Sequence, residues 1–80
     1  MDEVELKVKK IISKQLGIDI KNIQPNMKFV EDLGGDSLDT VEMLLSVEDE
    51  FGLEIDEEVA ETIETVQMVI DYIKSLQKTQ

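Results

Sequence analysis

Apolar residues recur at helical spacing in three stretches of this chain. Val4, Val8, Ile11, Ile12 and Leu16 fall at i, i+4, i+7, i+8 and i+12, the stripe of one amphipathic helix over residues 2–16. Lys7, Lys9, Lys10 and Lys14 lie mostly off that stripe. Asp2, Glu3 and Glu5 near its start and Lys14 near its end suit the helix dipole, and Gly17 supplies the stop. At the other end of the sequence, Val66, Val69, Ile70, Ile73 and Leu76 predict a helix over 65–76. Thr65 is its cap candidate, and Lys74 and Lys78 sit on the favourable side of its dipole.

The middle stretch, residues 37–51, carries two stripes. Met43, Leu44, Val47 and Phe51 share one arc, while Leu38, Val41 and Leu45 cluster on the roughly opposite one. A small domain has one core, so one stripe should be largely exposed. Glu48 flanks the Leu38–Leu45 stripe on one side, and Glu42 and Asp49 flank it on the other. An exposed apolar strip rimmed by like charges has the form of a docking surface. The alternative is a helix buried on both sides, between the first helix and the last.

Residues 17–36 have no helical period, and Pro25 interrupts them. So long a connection in a small domain is either functional or packed. Ile18, Ile20, Ile23, Met27, Phe29, Val30 and Leu33 make it a packed strap, with Phe29 and Leu33 expected to flank any cavity beneath Ser37. Residues 53–65 form a connector with a short helical turn, capped by Asp56 and facing Val59, Ala60 and Ile63 inward. The expected fold is all-α: a single domain over 1–80, with three main helices, a short fourth, and a long packed loop after the first.

Charge then sharpens the picture. The net charge is −11, yet residues 29–72 alone hold fifteen acids and no lysine, for −15. Such a block repels nucleic acid and anionic membranes and attracts basic protein surfaces. No stretch approaches the roughly 18 apolar residues of a membrane span, and nothing at the start resembles a signal peptide. The expectation is a soluble, cytoplasmic monomer that neither binds nucleic acid nor inserts into membranes. The chain has no cysteine and no histidine, which removes disulfides, thiolate metal sites and imidazole chemistry.

Candidate chemistry centres on Gly34-Gly35-Asp36-Ser37 at the head of the middle helix. Glycines let the backbone turn sharply, and Asp or Ser then caps the helix. Ser37 is thereby set on a helix N-terminus. Gly-Asp-Ser-Leu at 35–38 also matches a signature of serine esterases, but that chemistry needs a base, normally histidine, and a larger scaffold. A calcium loop starting at Asp32 fails as well, because its sixth position is Ser37 and its twelfth is Met43. No lysine follows the glycine pair as a P-loop requires. No catalytic or metal site is expected. Ser37 is then either a plain helix cap on an acidic interaction module or an attachment point.

The strings DLGGDSLDTVE at 32–42, EDEFGLEI at 48–55 and TVQMVIDYI at 65–73, together with Phe29, closely resemble acyl carrier proteins. The resemblance covers about residues 4–76 and is nearest to stand-alone carriers of dissociated fatty acid synthesis. It implies a non-enzymatic carrier in which Ser37, within the triplet Asp36-Ser37-Leu38, receives phosphopantetheine from coenzyme A through a phosphopantetheinyl transferase. Acyl groups would ride the arm as thioesters among fatty acid synthesis enzymes and acyltransferases with basic docking surfaces. To the docking residues read from the stripe, Val41, Glu42, Leu45 and Glu48, the resemblance adds Asp39 and Asp49. Gly35 stands where such carriers more often have alanine, and Met68 and Val69 are bulkier than the family's usual residues near the acyl cavity. LGGDSL is equally at home in peptidyl carrier domains, while LDTVE and the acidic block favour the acyl type.

Overall fold

The first and last apolar stripes meet across a shared core, and the inner stripe of the middle helix closes it. The computed structural model describes residues 3–78; Asp2 lies outside them. Its helices are α1 (Glu3–Leu16), α2 (Ser37–Phe51), α3 (Glu57–Thr62) and α4 (Val66–Lys78). The all-α expectation holds, since the described residues contain no strand, only an isolated bridge between Lys28 and Thr65. Helix α1 is central, packing against both α2 and α4. Val8 and Ile12 of α1, Val47 of α2, and Val66, Val69 and Ile73 of α4 are fully buried.

One lysine departs from the sequence reading. Lys9, expected off the apolar stripe, is buried. Its side chain is covered while its ammonium reaches Glu5 Oε2, one turn earlier, at 3.2 Å. A long cationic side chain can bury its stem and keep its head paired.

The strap between α1 and α2 is packed, as its apolar content requires. It contains a 3₁₀ turn at Ile20–Asn22, where the Asp19 carboxylate accepts the Lys21 N–H at 3.1 Å. Ile23, Phe29 and Leu33 enter the core. The strap also serves α4, whose first N–H groups have no partner inside the helix. The Val66 N–H donates to the Met27 carbonyl at 3.1 Å and the Gln67 N–H to the Pro25 carbonyl at 2.8 Å. Thr65 Oγ accepts the Met68 N–H at 3.2 Å, the expected cap.

Helix α3 is the lightly held element. Asp56 caps it by accepting the Glu58 N–H at 3.0 Å, but none of its six residues is buried. Val59 and Ala60 pack half-buried against the core, as expected, and Ile63, just past the helix end, is buried in it.

Candidate functional site

The two glycines before α2 serve different ends. Gly34 has φ 76°, a left-handed turn that costs a residue with a Cβ about 1–2 kcal/mol. Gly35 has no such φ, but it is buried, and a Cβ there would lie 3.1 Å from Leu16 Cδ2 and 3.3 Å from the Phe29 carbonyl oxygen. That same carbonyl accepts the Gly35 N–H at 2.9 Å. The turn is thus tied down immediately before the helix begins.

Asp36, not Ser37, is the cap. Its carboxylate accepts the Asp39 N–H at 2.9 Å, and the Asp39 carboxylate accepts the Asp36 N–H at 3.2 Å, a reciprocal capping box. Ser37 is therefore the first helical residue. It is exposed, and among the described residues its hydroxyl takes part in no hydrogen bond, nor do the N–H groups of Ser37 and Leu38. Free N–H groups at the positive end of a helix favour a bound anion. An exposed, uncommitted hydroxyl beside them suits a phosphoester.

A groove of about 520 Å³ begins at Ser37 and runs between α2 and α3. Val30, Val41, Leu44, Leu45, Ile55, Ala60 and Ile63 give it an apolar lining, with Thr40, Glu48, Glu57 and Glu61 among the polar groups. Two expectations need correcting here. Leu33 does not line this groove, because it turns into the core. Phe29 is buried too, but it lines a smaller cavity of about 220 Å³ that shares Val30, Thr40 and Ile63 with the groove. Val30 lines the groove instead and is 58% exposed. Met68 and Val69 are absent from the lining as well; Val69 faces the core and Met68 faces solvent.

The second stripe of α2 lies open, with Leu38 63%, Val41 53% and Leu45 58% exposed. The reading of α2 as buried on both sides is thereby excluded. The carboxylates around the stripe are not equivalent. Asp49 is exposed and has no ion-pair or hydrogen-bond partner among the described residues. Glu42 is exposed and accepts from Gln15 Nε2 of α1 at 2.6 Å. Asp39 is half-buried in the capping box. Glu48 is half-buried too and accepts the Ile55 N–H at 2.8 Å. Sequence reasoning did not find Gln15, Val30 or the α3 wall, because their roles depend on which elements become neighbours. Among the described residues, no three acidic side chains converge to hold a metal ion.

This geometry agrees with the family comparison. The model of the phosphopantetheine attachment site matches residues 6–73, most of the chain. The chain belongs to that family. Phosphopantetheine-attachment domains carry the group covalently and are typically non-catalytic, and the match is consistent with a carrier such as an acyl carrier protein. Such a carrier domain implies a phosphopantetheinyl transferase to load it and partner enzymes to use it. The residues present fit the group: a free hydroxyl, unpaired amide N–H groups for its phosphate, and an apolar groove alongside. Among the described residues, no helix of this phosphopantetheine-attachment domain is long and apolar enough to cross a membrane.

Proposed function

We propose that Ser37 bears the phosphopantetheine arm and that the chain carries acyl groups as thioesters between cytoplasmic enzymes of fatty acid synthesis or a related lipid pathway. The observation that carries this reading is the division of labour at the head of α2. Asp36 does the capping, so Ser37 has no structural duty and its hydroxyl is free. A plain-cap role for Ser37, the main rival, has nothing left to support it.

The arm, when bound, supplies a terminal thiol that this cysteine-free chain lacks. Ser37 offers the oxygen for the phosphoester, and the Ser37 and Leu38 N–H groups face its charge. Asp36 and Asp39 oppose that charge, but each is also held in the capping box. Neither is placed as a free base, and no histidine is present. Activation of the Ser37 hydroxyl therefore falls to the transferase. The groove between α2 and α3 offers apolar walls to an acyl chain tethered at its mouth, which favours a lipid cargo over an aminoacyl one.

The open stripe Leu38, Val41 and Leu45 is the docking face in this reading, with Asp39, Glu42, Glu48 and Asp49 presenting charge to basic partner surfaces. The partners are the phosphopantetheinyl transferase, fatty acid synthesis enzymes and acyltransferases. Apolar contacts would hold the complex, while the exposed charges steer encounter.

Mass spectrometry after incubation with coenzyme A, Mg²⁺ and a phosphopantetheinyl transferase tests the site. One arm should be added to the wild-type chain and none to Ser37→Ala, whose fold should be unchanged because the cap is Asp36. Loading of Ser37→Ala to the wild-type extent would refute the assignment.

A further inference from the structure

Glu48 is the main hydrogen-bond acceptor for the turn between α2 and α3. The Glu48 backbone carbonyl accepts the N–H groups of both Gly52 and Leu53, and its side chain accepts the Ile55 N–H at 2.8 Å. Only the side-chain bond depends on residue 48 being a glutamate. It spans seven residues, from the last turns of α2 to the doorstep of α3. Both of its partners, Glu48 and Ile55, line the groove. The next amide along, that of Asp56, has only a 3.5 Å approach to the Tyr72 hydroxyl.

Beyond that point α3 has no fully buried residue; only Val59 and Ala60 pack half-buried against the core. Segments with few buried contacts open at low free energy, so one good hydrogen bond at the hinge matters. A carboxylate accepting a backbone N–H is among the stronger kinds, and this one is partly shielded from water.

We propose that Glu48 is the positioning residue of the groove: its carboxylate pins Ile55 and thereby holds the α3 wall against α2. The role rests on the reading that the groove receives acyl cargo, and it adds to the docking duty assigned to Glu48 above. The two duties separate chemically. Holding Ile55 needs an oxygen acceptor, whereas attracting a basic partner needs charge. Glu48→Gln keeps the acceptor and loses the charge. Glu48→Ala loses both.

The test has two arms. In the unmodified protein, amide hydrogen exchange at Ile55 and through α3 should quicken about tenfold or more in Glu48→Ala. In Glu48→Gln it should stay within about threefold of wild type. In protein loaded at Ser37 with an octanoyl thioester, hydroxylamine should cleave the thioester several-fold faster in Glu48→Ala and near the wild-type rate in Glu48→Gln. Unchanged Ile55 exchange in Glu48→Ala would overturn the proposal. So would faster exchange with unchanged thioester cleavage, or equal behaviour of the two variants in both arms. A chain that accepts no arm at Ser37 would bring down the cargo reading and this role together. That failure shows in the mass of the wild-type protein, whereas the exchange arm decides the pinning without any arm attached.

Discussion

The two faces of α2 carry similar apolar side chains and meet opposite fates. On the inner face Met43, Leu44 and Val47 are at most 4% exposed. On the outer face Leu38, Val41 and Leu45 are more than half exposed. Fully burying a side chain of this size stabilises a fold by about 1.5–3 kcal/mol, and the outer face largely forgoes that gain. The cause lies in the neighbours. Helix α1 covers the inner face, whereas the groove side of α2 faces Val30, Ile55, Ile63 and the six-residue α3, none of whose residues is fully buried. The inner face builds the core, and the outer face is the surface that the proposed function assigns to partner docking.

Matched substitutions on the two faces would break this comparison most directly. Met43→Ala should cost about 2–5 kcal/mol in denaturant unfolding, the usual range for a buried methionine or leucine. Leu45→Ala should cost less than about 1 kcal/mol, as exposed positions do. Its effect should instead be seen in partner binding, weakened by about tenfold for the phosphopantetheinyl transferase or a ketoacyl synthase. Comparable unfolding by both variants would show the outer stripe to be core. Wild-type binding by Leu45→Ala would move the docking site elsewhere, most plausibly to the loop before Ser37.

A smaller effect is expected at the charged rim. Glu42→Lys should slow partner association by several-fold at low salt, with little change in dissociation. The effect should fade as salt rises, because the Debye length is only about 8 Å at physiological ionic strength. Gln15→Ala sharpens the point: it removes the donor that engages Glu42 while keeping the charge. Association and its salt dependence should therefore stay as in wild type. A loss of rate in Gln15→Ala equal to that in Glu42→Lys would mean that carboxylate placement, not charge, is what the partner reads.

Much of this was legible in the sequence because helical periodicity is a direct imprint of burial. The stripes of α1 and α4 located their helices to within about two residues, and the double stripe of α2 announced a surplus face. What stayed illegible has physical reasons. Asp36 and Ser37 are both good capping residues, so only the built turn tells which one caps and which is free. In the strap no period links neighbouring side chains to one side, hence Val30, expected to be packed, lies exposed on the groove while Leu33, expected at the cavity, lies in the core. Lys9 was placed off the apolar stripe with the other lysines, although its stem is long enough to be buried with Glu5 still in reach. The bond from Glu48 to Ile55 joins residues on different elements, and no local spacing encodes it. Docking residues and the attachment serine stand on resemblance and geometry together, and the substitutions above address them.

The smallest effect, and the one that probes the floor beneath Ser37, concerns the glycine pair. Gly34→Ala places a side chain at φ 76° with open space around it, so its cost should be the backbone strain alone, about 1–2 kcal/mol. Gly35→Ala sets two opposing terms against each other. Where the native φ is compatible, replacing glycine removes freedom from the unfolded chain and stabilises by about 0.4–1 kcal/mol. Against this, the new Cβ meets Leu16 Cδ2 at 3.1 Å and the Phe29 carbonyl at 3.3 Å. The leucine end is flexible and can yield. The carbonyl is fixed by the hydrogen bond it accepts from Gly35 itself. The expected net change is within about 1 kcal/mol of zero, smaller than at Gly34. Repeating Gly35→Ala in a Leu16→Ala background identifies the obstacle. If the substitution becomes stabilising there, Leu16 was the limiting neighbour, and the residue at 35 is chosen together with the one at 16. If it remains costly, the Phe29 carbonyl sets the limit, and the glycine is fixed by the backbone turn that delivers Ser37 to the surface.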